Sequence, residues 1–195
     1  MIIGISGYAR SGKDTFGLSL QRILKSFKIE SNINAFANIL KLDIDEFLLQ
    51  KFKISAFTKN DAEKALIRPM LVAYGESKRN QDPDYWIKQI EKNIKNNLTI
   101  ITDVRYENEA KWLLDKGGFL IHVTRQKNDD SYIEAPNAQE AENNPKVSKL
   151  ASLKITWKTV EINGVVDEKT IDQIVESLVC SSEVLTEKLE LWKAT

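Results

Sequence analysis

The chain has 195 residues and no formal net charge, because 28 basic residues balance 28 acidic ones. This length predicts a single domain, and the shares of apolar (42%) and charged (29%) residues predict a folded globule, not a disordered or fibrous chain. The lack of a basic excess argues against nucleic-acid binding. One cysteine and one histidine exclude an intrachain disulfide and a cysteine or multi-histidine metal site.

Membrane insertion and secretion are not expected from the hydropathy pattern. No apolar run reaches the roughly 18 residues that a membrane-spanning helix needs. The apolar segment 1–6 is too short for a signal peptide and lacks the basic start of one. We therefore expect a cytoplasmic protein that has no membrane partner.

Short apolar runs alternate with segments of helical periodicity, which is typical of α/β folds. Strands are predicted at 2–5, 32–36, 98–102, 119–124 and 155–162. Helices are predicted at 16–27, 38–51, 61–74, 107–116 and 182–192, and after the N-caps Asp82 and Asp167. Pro69 is expected to break the third of these helices. Five strands separated by helices predict a parallel, doubly wound sheet.

The segment 125–152 is polar and contains two prolines and several asparagines. A connection of this length in a compact domain is usually functional or disordered. We interpret it as a mobile loop or a short helical lid.

The strongest chemical signal is the segment from Gly7 to Thr15, which follows the first strand and precedes a helix. It fits the phosphate-binding pattern G-x-x-x-x-G-K, in which backbone N–H groups, a helix N-terminus and a lysine surround phosphate oxygens. Asp14 stands where Ser or Thr usually contacts magnesium, so either Asp14 or Thr15 is the expected metal ligand. The alternative to a phosphate-binding loop is a glycine turn between the strand and the helix. The residues predicted to contact ATP here are Gly7, Ala9, Arg10, Ser11, Gly12, Lys13, Asp14 and Thr15.

Asp103 directly follows the strand 98–102, at the strand end where α/β folds bind ligands. In P-loop proteins an acid at this place supports magnesium, and Arg105 could then reach a phosphate. The alternative is a helix-capping aspartate beside a surface arginine. The P-loop favours the functional interpretation.

Five motifs together resemble the bacteriophage-type deoxynucleoside monophosphate kinases, which belong to a P-loop group that includes dephospho-coenzyme A kinase. The resemblance covers about residues 1–125. The motifs are Gly7–Thr15, Phe36–Asn38 with Lys41, Tyr74–Glu76 with Arg79, Asp84–Trp86, and Asp103–Tyr106 with Asn108 and Glu109.

The resemblance implies a P-loop kinase fold with a core (1–37, 97–125, 153–195), a helical monophosphate-binding region (38–96) and a lid (126–152). It also implies magnesium-dependent transfer of the ATP γ-phosphoryl group to a nucleoside 5′-monophosphate, within deoxynucleotide metabolism. It implies host cytoplasm as the location if the protein is phage-encoded.

The resemblance carries residue roles as well. It implies catalytic roles for Lys13, Arg79, Asp103 and Arg105. The residues expected to bind magnesium are Asp14, Thr15 and Asp103. Arg125, Asn163 and Gly164 are expected near the donor nucleotide. The residues implied for the acceptor are Lys41, Arg68, Arg79, Trp86, Arg105, Asn108 and Glu109.

The sequence departs from the family pattern at two places. Asn38 stands where the family often has Asp, and Asn137–Glu140 replaces a His-x-Ser-Glu-like motif. Two other functions stay open: a kinase for another small acceptor such as dephospho-coenzyme A, and a P-loop regulator without kinase activity.

Three side chains and the last helix have structural interpretations. The helical spacing of Trp86 with Ile90 favours a core position for Trp86 over stacking on a base. His122 and Cys180 are expected to be structural, with Cys180 packed inside. The last helix packs on its own domain or on a second subunit, which leaves a homodimer open.

Overall fold

The computed structural model describes residues 1–94, 97–127, 130–158, 161–162 and 165–193. The chain forms two compact units, Met1–Asn34 with Lys95–Thr195 and, separately, Ala35–Ile94. We call them the sheet unit and the helical unit. The helical unit has nearly the bounds expected for the monophosphate-binding region, whose role in binding stays a prediction.

Strands and helices alternate along the chain. The strands are β1 (Ile2–Ser6), β2 (Ser31–Asn34), β3 (Leu98–Val104), β4 (Phe119–Gln126), β5 (Leu153–Lys158), β6 (Glu161–Ile162) and β7 (Val165–Val166). The helices are α1 (Lys13–Ser26), α2 (Phe36–Phe52), α3 (Asp61–Gln81), α4 (Tyr85–Glu91), α5 (Glu107–Asp115), α6 (Ala138–Leu150), α7 (Glu168–Ser181) and α8 (Glu183–Lys193).

The sheet unit confirms the predicted α/β class and the five-stranded parallel sheet flanked by helices. The strand order is β2-β3-β1-β4-β5, and every neighbouring pair is parallel. β1 and β3 are buried along their whole length, as central strands of a doubly covered sheet should be. The carboxyl ends of β1, β3 and β4 therefore lie side by side, where ligands bind in such folds.

Helix α1 packs its apolar side on the sheet. Phe16, Leu20 and Leu24 recur at helical spacing and are buried, and they join Ile3 and Ile5 of β1 in one core. This burial fixes the axis of α1, and its N-terminus follows directly from the loop after β1.

The fifth predicted strand is shorter than expected. β5 ends at Lys158, and Glu161–Ile162 pairs antiparallel with Val165–Val166 in a separate hairpin. The segment expected to be a mobile loop or a short helical lid is helical at Ala138–Leu150, where α6 has Asn137 as its N-cap. Its role as a lid stays a prediction. Leu185 and Leu189 of α8 enter the core of the sheet unit, so that this helix packs on its own domain.

The prediction that Pro69 ends a helix was wrong, because α3 continues through it to Gln81. Proline removes one backbone hydrogen bond of the helix. Apolar residues on both sides of Pro69 pack in the core of the helical unit: Ile67, Leu71 and Tyr74. Tertiary packing therefore outweighs the lost bond.

Two smaller expectations also failed. Asp82 is the C-cap of α3, and the next helix has Asp84 as its N-cap. The carboxylate of Asp82 instead accepts from the Asp84 N–H at 3.1 Å, which forms the turn between the helices. Cys180 is exposed, since the buried face of α7 carries Ile171, Val175 and Val179.

Candidate active site

The loop between β1 and α1 has the backbone that a phosphate-binding loop needs. Gly7 (φ 140°), Arg10 (φ 66°) and Gly12 (φ 86°) all have positive φ. A Cβ on Gly7 would lie 2.3 Å from the carbonyl oxygen of Val123, and one on Gly12 would lie 2.5 Å from Cζ2 of Trp157. Only glycine fits these two positions. The structure therefore supports the phosphate-binding loop and not the alternative of a glycine turn.

Lys13, the first residue of α1, is buried against this loop. Its Nζ donates to the carbonyl oxygens of Gly7 (2.8 Å) and Tyr8 (2.6 Å). Burial, followed by the positive charge of Arg105, lowers the pKa of Lys13 to about 8, although nearby carboxylates including Glu140 oppose this shift. The loop therefore holds an ammonium group that is partly stripped of water, which strengthens its attraction for a phosphate.

Trp157 of β5 supports the loop from below. Its Nε1–H donates to the carbonyl oxygen of Ser11 at 2.9 Å, and its ring meets Phe16 edge to face at 5.8 Å between centroids. The sequence did not indicate this role, because Trp157 lies 146 residues from Ser11.

We expect Trp157→Phe to weaken ATP binding about fivefold to tenfold. The substitution leaves the buried Ser11 carbonyl without its donor, a loss of roughly 1 kcal/mol or more. Calorimetric titration with ATP, without acceptor, measures the effect. Trp86→Phe is the matched control, because Nε1 of Trp86 also donates to a backbone carbonyl, that of Gly75, at 3.2 Å. Equal affinities in the two variants would contradict the role of Trp157.

A carboxylate from α6 contacts the loop directly. Oε2 of Glu140 accepts from the Ala9 N–H at 2.7 Å, and Oε1 accepts from Nη1 of Arg105 at 2.9 Å. The Glu140 side chain is only 10% exposed. Its own N–H donates to Oδ1 of Asn137, the N-cap, which fixes the first turn of α6. This contact shows that one N–H group of the loop, that of Ala9, binds an anionic oxygen.

Arg105 lies just after β3, and its neighbours explain its position. The carboxylate of Glu109 accepts from the backbone N–H groups of Arg105 (2.9 Å) and Tyr106 (3.1 Å), in the capping box of α5. Glu109 is buried in this structural role, and its predicted contact with the acceptor stays a prediction. Asn108 is half-buried in the first turn of the same helix.

Arg125 also reaches the loop, since its Nη1 donates to the carbonyl oxygen of Arg10 at 3.3 Å. Its expected place near the donor nucleotide stays a prediction. Asn163 and Gly164, the other two donor residues expected from the resemblance, lie outside the described residues.

The expected magnesium ligands lie at the same edge of the sheet. Asp103 is nearly buried at the end of β3, whereas Asp14 is exposed and Thr15 half-buried in the first turn of α1. Both carboxylates are close enough to raise the pKa of Lys13. Over the described ranges no group of three metal-binding side chains occurs. Because Mg²⁺ at nucleotide sites uses one or two protein carboxylates with phosphate oxygens and water, these residues still fit it.

Four predicted acceptor residues belong to the helical unit. Nζ of Lys41 lies 5.6 Å from the ring centroid of Phe57, Arg68 is exposed, and Nη1 of Arg79 lies 3.6 Å from the carboxylate of Glu76. Trp86 is 2% exposed and packs against Tyr74 and Tyr85. The core interpretation of Trp86 is therefore correct, and its buried indole is not available to stack on a base.

The one histidine lies beneath the loop. Nδ1 of His122, on β4, is 3.0 Å from Oγ of Ser6, and both residues are buried. Burial and the charges of Lys154 and Lys13 lower the pKa of His122 to about 4. It is therefore neutral near pH 7, which confirms its structural interpretation.

Comparison with known proteins identifies a kinase family. The phosphomevalonate kinase family model matches residues 5–118, more than half of the chain. No curated protein sequence matches significantly.

None of the helices that the structure describes could span a membrane.

Solved structures of similar shape include two shikimate kinases and a sugar kinase. The shikimate kinase from Acinetobacter baumannii, in complex with shikimate, is 11% identical, with TM-score 0.41 and coverage of 93% of this chain and 94% of that one. The one from Bacteroides thetaiotaomicron is 11% identical, with TM-score 0.46 and coverage of 92% and 98%. The sugar kinase from Janibacter sp. is 7% identical, with TM-score 0.38 and coverage of 94% and 96%.

The family match extends from the end of β1 to the residues just before β4, so it includes the phosphate loop, Asp103 and Arg105. The narrower resemblance to phage-type deoxynucleoside monophosphate kinases stays a prediction. The chain belongs to the phosphomevalonate kinase family and is a P-loop kinase.

Proposed function

We propose that this enzyme transfers the γ-phosphoryl group of ATP to the phosphate of a small phosphomonoester, and that the acceptor is a nucleoside or deoxynucleoside 5′-monophosphate. The products are ADP and the acceptor diphosphate. One observation carries the proposal: two cations, Lys13 and Arg105, lie together at the phosphate loop. Glu140 connects Arg105 to the loop, because its carboxylate accepts from Arg105 and from the Ala9 N–H.

The chemistry needs positioning and charge neutralisation more than acid–base catalysis. A phosphate acceptor is already an anionic nucleophile, so that no general base has to activate it. The two phosphates repel each other, and this repulsion grows in a site shielded from water. Lys13 and the loop N–H groups would stabilise the donor, while Arg105 would stabilise the acceptor or the transferring group.

Magnesium, when bound, would neutralise part of the triphosphate charge. Asp103 and either Asp14 or Thr15 would hold it, with the remaining ligands coming from phosphate oxygens and water. The polar segment 126–152, which contains α6, would act as the lid that shields the reaction from water.

Two observations bear on the acceptor. The motifs shared with phage-type kinases favour a nucleoside monophosphate, and the matched family favours phosphomevalonate as the second candidate. Both are phosphomonoesters, so the same donor chemistry serves either one. The proposed acceptor contacts of Lys41, Arg68 and Arg79 rest on the resemblance alone.

A panel of acceptors tests the proposal. Ribo- and deoxyribonucleoside monophosphates, phosphomevalonate and dephospho-coenzyme A are each incubated with ATP and Mg²⁺, and formation of ADP is followed. Phosphorus NMR then identifies a new diphosphate, which a hydroxyl acceptor cannot give. Turnover with a nucleoside monophosphate supports the first candidate. Turnover with phosphomevalonate alone supports the second, and ADP formation without any phosphorylated product rejects both.

We expect Asp103→Asn to raise the magnesium concentration needed for half-maximal turnover and to lower turnover more than ATP affinity. The amide lacks the charge that holds the metal through the transition state. Rates are measured as Mg²⁺ is titrated. Asp115→Asn, an exposed change at the end of α5, is the control. If the Asp103→Asn and wild-type magnesium curves coincide, Asp103 has no metal role.

A further inference from the structure

The carboxylate of Glu140 binds the phosphate loop in the way that a phosphoryl oxygen would. One of its oxygens accepts from a loop N–H, that of Ala9, and the other from the guanidinium of Arg105. Backbone N–H groups of such loops and arginine forks are the two donors that bind phosphate in proteins. A protein side chain therefore makes both kinds of contact that a nucleotide phosphate needs.

The position of Glu140 is well defined. The side chain is 10% exposed, and its backbone N–H is held by the Asn137 cap at 2.8 Å. Its charge also raises the pKa of Lys13, so a second cation besides Arg105 lies near the same carboxylate. In contrast, Glu142, on the same helix, pairs at the surface with Lys146.

We propose that Glu140 is an internal competitor of the nucleotide: its carboxylate and a nucleotide phosphoryl oxygen bind the same donors, Ala9 N–H and Arg105, and exclude each other. Two negative groups cannot share these donors at hydrogen-bond distance without strong repulsion. Nucleotide binding then requires the Glu140 carboxylate to release Ala9 and Arg105. Rotation of the side chain in the first turn of α6 permits this. The lid helix and the phosphate loop would thereby be coupled: a bound phosphate releases α6 from the loop and frees Arg105.

This inference rests on the proposed function only in taking the loop as a nucleotide phosphate site. It makes no use of the acceptor. A failed acceptor panel would therefore leave it standing, whereas a failed binding comparison would leave the proposed reaction standing.

The test compares phosphate binding in Glu140→Gln and in the wild type. Glutamine keeps the size of the side chain but removes the charge that repels phosphate and holds Arg105. We expect the dissociation constants of the non-hydrolysable analogue AMP-PNP with Mg²⁺, and of inorganic tripolyphosphate, to fall at least tenfold. Tripolyphosphate isolates the phosphate contacts from those of the base. Glu142→Gln is the matched control and should leave both constants unchanged.

Unchanged or weaker binding in a folded Glu140→Gln protein would overturn the proposal, because a purely structural glutamate would give that result. A measurement on the wild type keeps the proposal testable if the variant does not fold. Adding tripolyphosphate should shift the carboxyl carbon resonance of Glu140 together with the amide resonance of Ala9. If the Ala9 resonance shifts while that of the Glu140 carboxyl does not, the two anions do not compete.

Discussion

Replacement of Lys13 by Met is expected to lower turnover at least a hundredfold. Its ammonium is buried against the loop, where low solvation strengthens its attraction for a phosphoryl group that gains charge in the transition state. Removing a single donor of this kind typically costs 10²–10³ in rate. Methionine keeps the apolar stem of lysine, so the packing of the first turn of α1 should be retained. Turnover is measured with ATP, Mg²⁺ and the acceptor that the panel identifies.

Two controls separate charge from folding in the Lys13→Met variant. Lys25→Ala, an exposed lysine in the last turn of the same helix, should leave turnover unchanged. Because the pKa of Lys13 is lowered to about 8, ATP affinity of the wild type should fall as the pH rises from 7 to 9, whereas that of the variant should not. Near-wild-type turnover in a folded Lys13→Met protein would reject the P-loop assignment.

The phosphate loop was predictable because its signal is local. Gly7, Gly12 and Lys13 occupy one short segment, and each has a conformational or chemical reason that spacing alone reveals. The parallel sheet was predicted from short apolar runs that alternate with helical segments, and these patterns are also local. The pattern could therefore predict the strand, the loop and the helix together.

The support of the loop was not predictable, because it comes from distant parts of the chain. Glu140 lies 131 residues from Ala9, and Trp157 lies 146 residues from Ser11. The departure at Asn137–Glu140 from the family motif was the only sequence signal near the first contact. Register between β4 and β5 brings Trp157 under the loop, and no local propensity encodes that register.

Glu109 and Trp86 show a different limit of sequence motifs. Both belong to segments that resemble a kinase, yet the structure uses Glu109 to cap α5 and Trp86 to fill a core. A motif includes the residues that hold its shape as well as those that touch a ligand. Only burial and hydrogen-bond partners separate the two kinds.

The reaction should also depend on Arg105, although less strongly than on Lys13. Arg105→Ala is expected to raise the acceptor KM, or to lower turnover, at least tenfold, because a charge-assisted hydrogen bond to phosphate contributes roughly 1.5–3 kcal/mol. ATP affinity without acceptor should change much less. The substitution removes a cation from the loop but also removes the partner that holds Glu140 there, so its two effects on ATP binding oppose each other.

Arg22→Ala provides the matched control for Arg105→Ala. Nη2 of Arg22 pairs with the carboxylate of Asp172 at 2.6 Å, and its side chain is 39% exposed, compared with 45% for Arg105. The two substitutions therefore remove similar ion pairs, and only one of them lies at the loop. Initial rates at varied acceptor and saturating ATP separate KM from turnover. If the two variants have the same acceptor kinetics, Arg105 does not contact the acceptor phosphate.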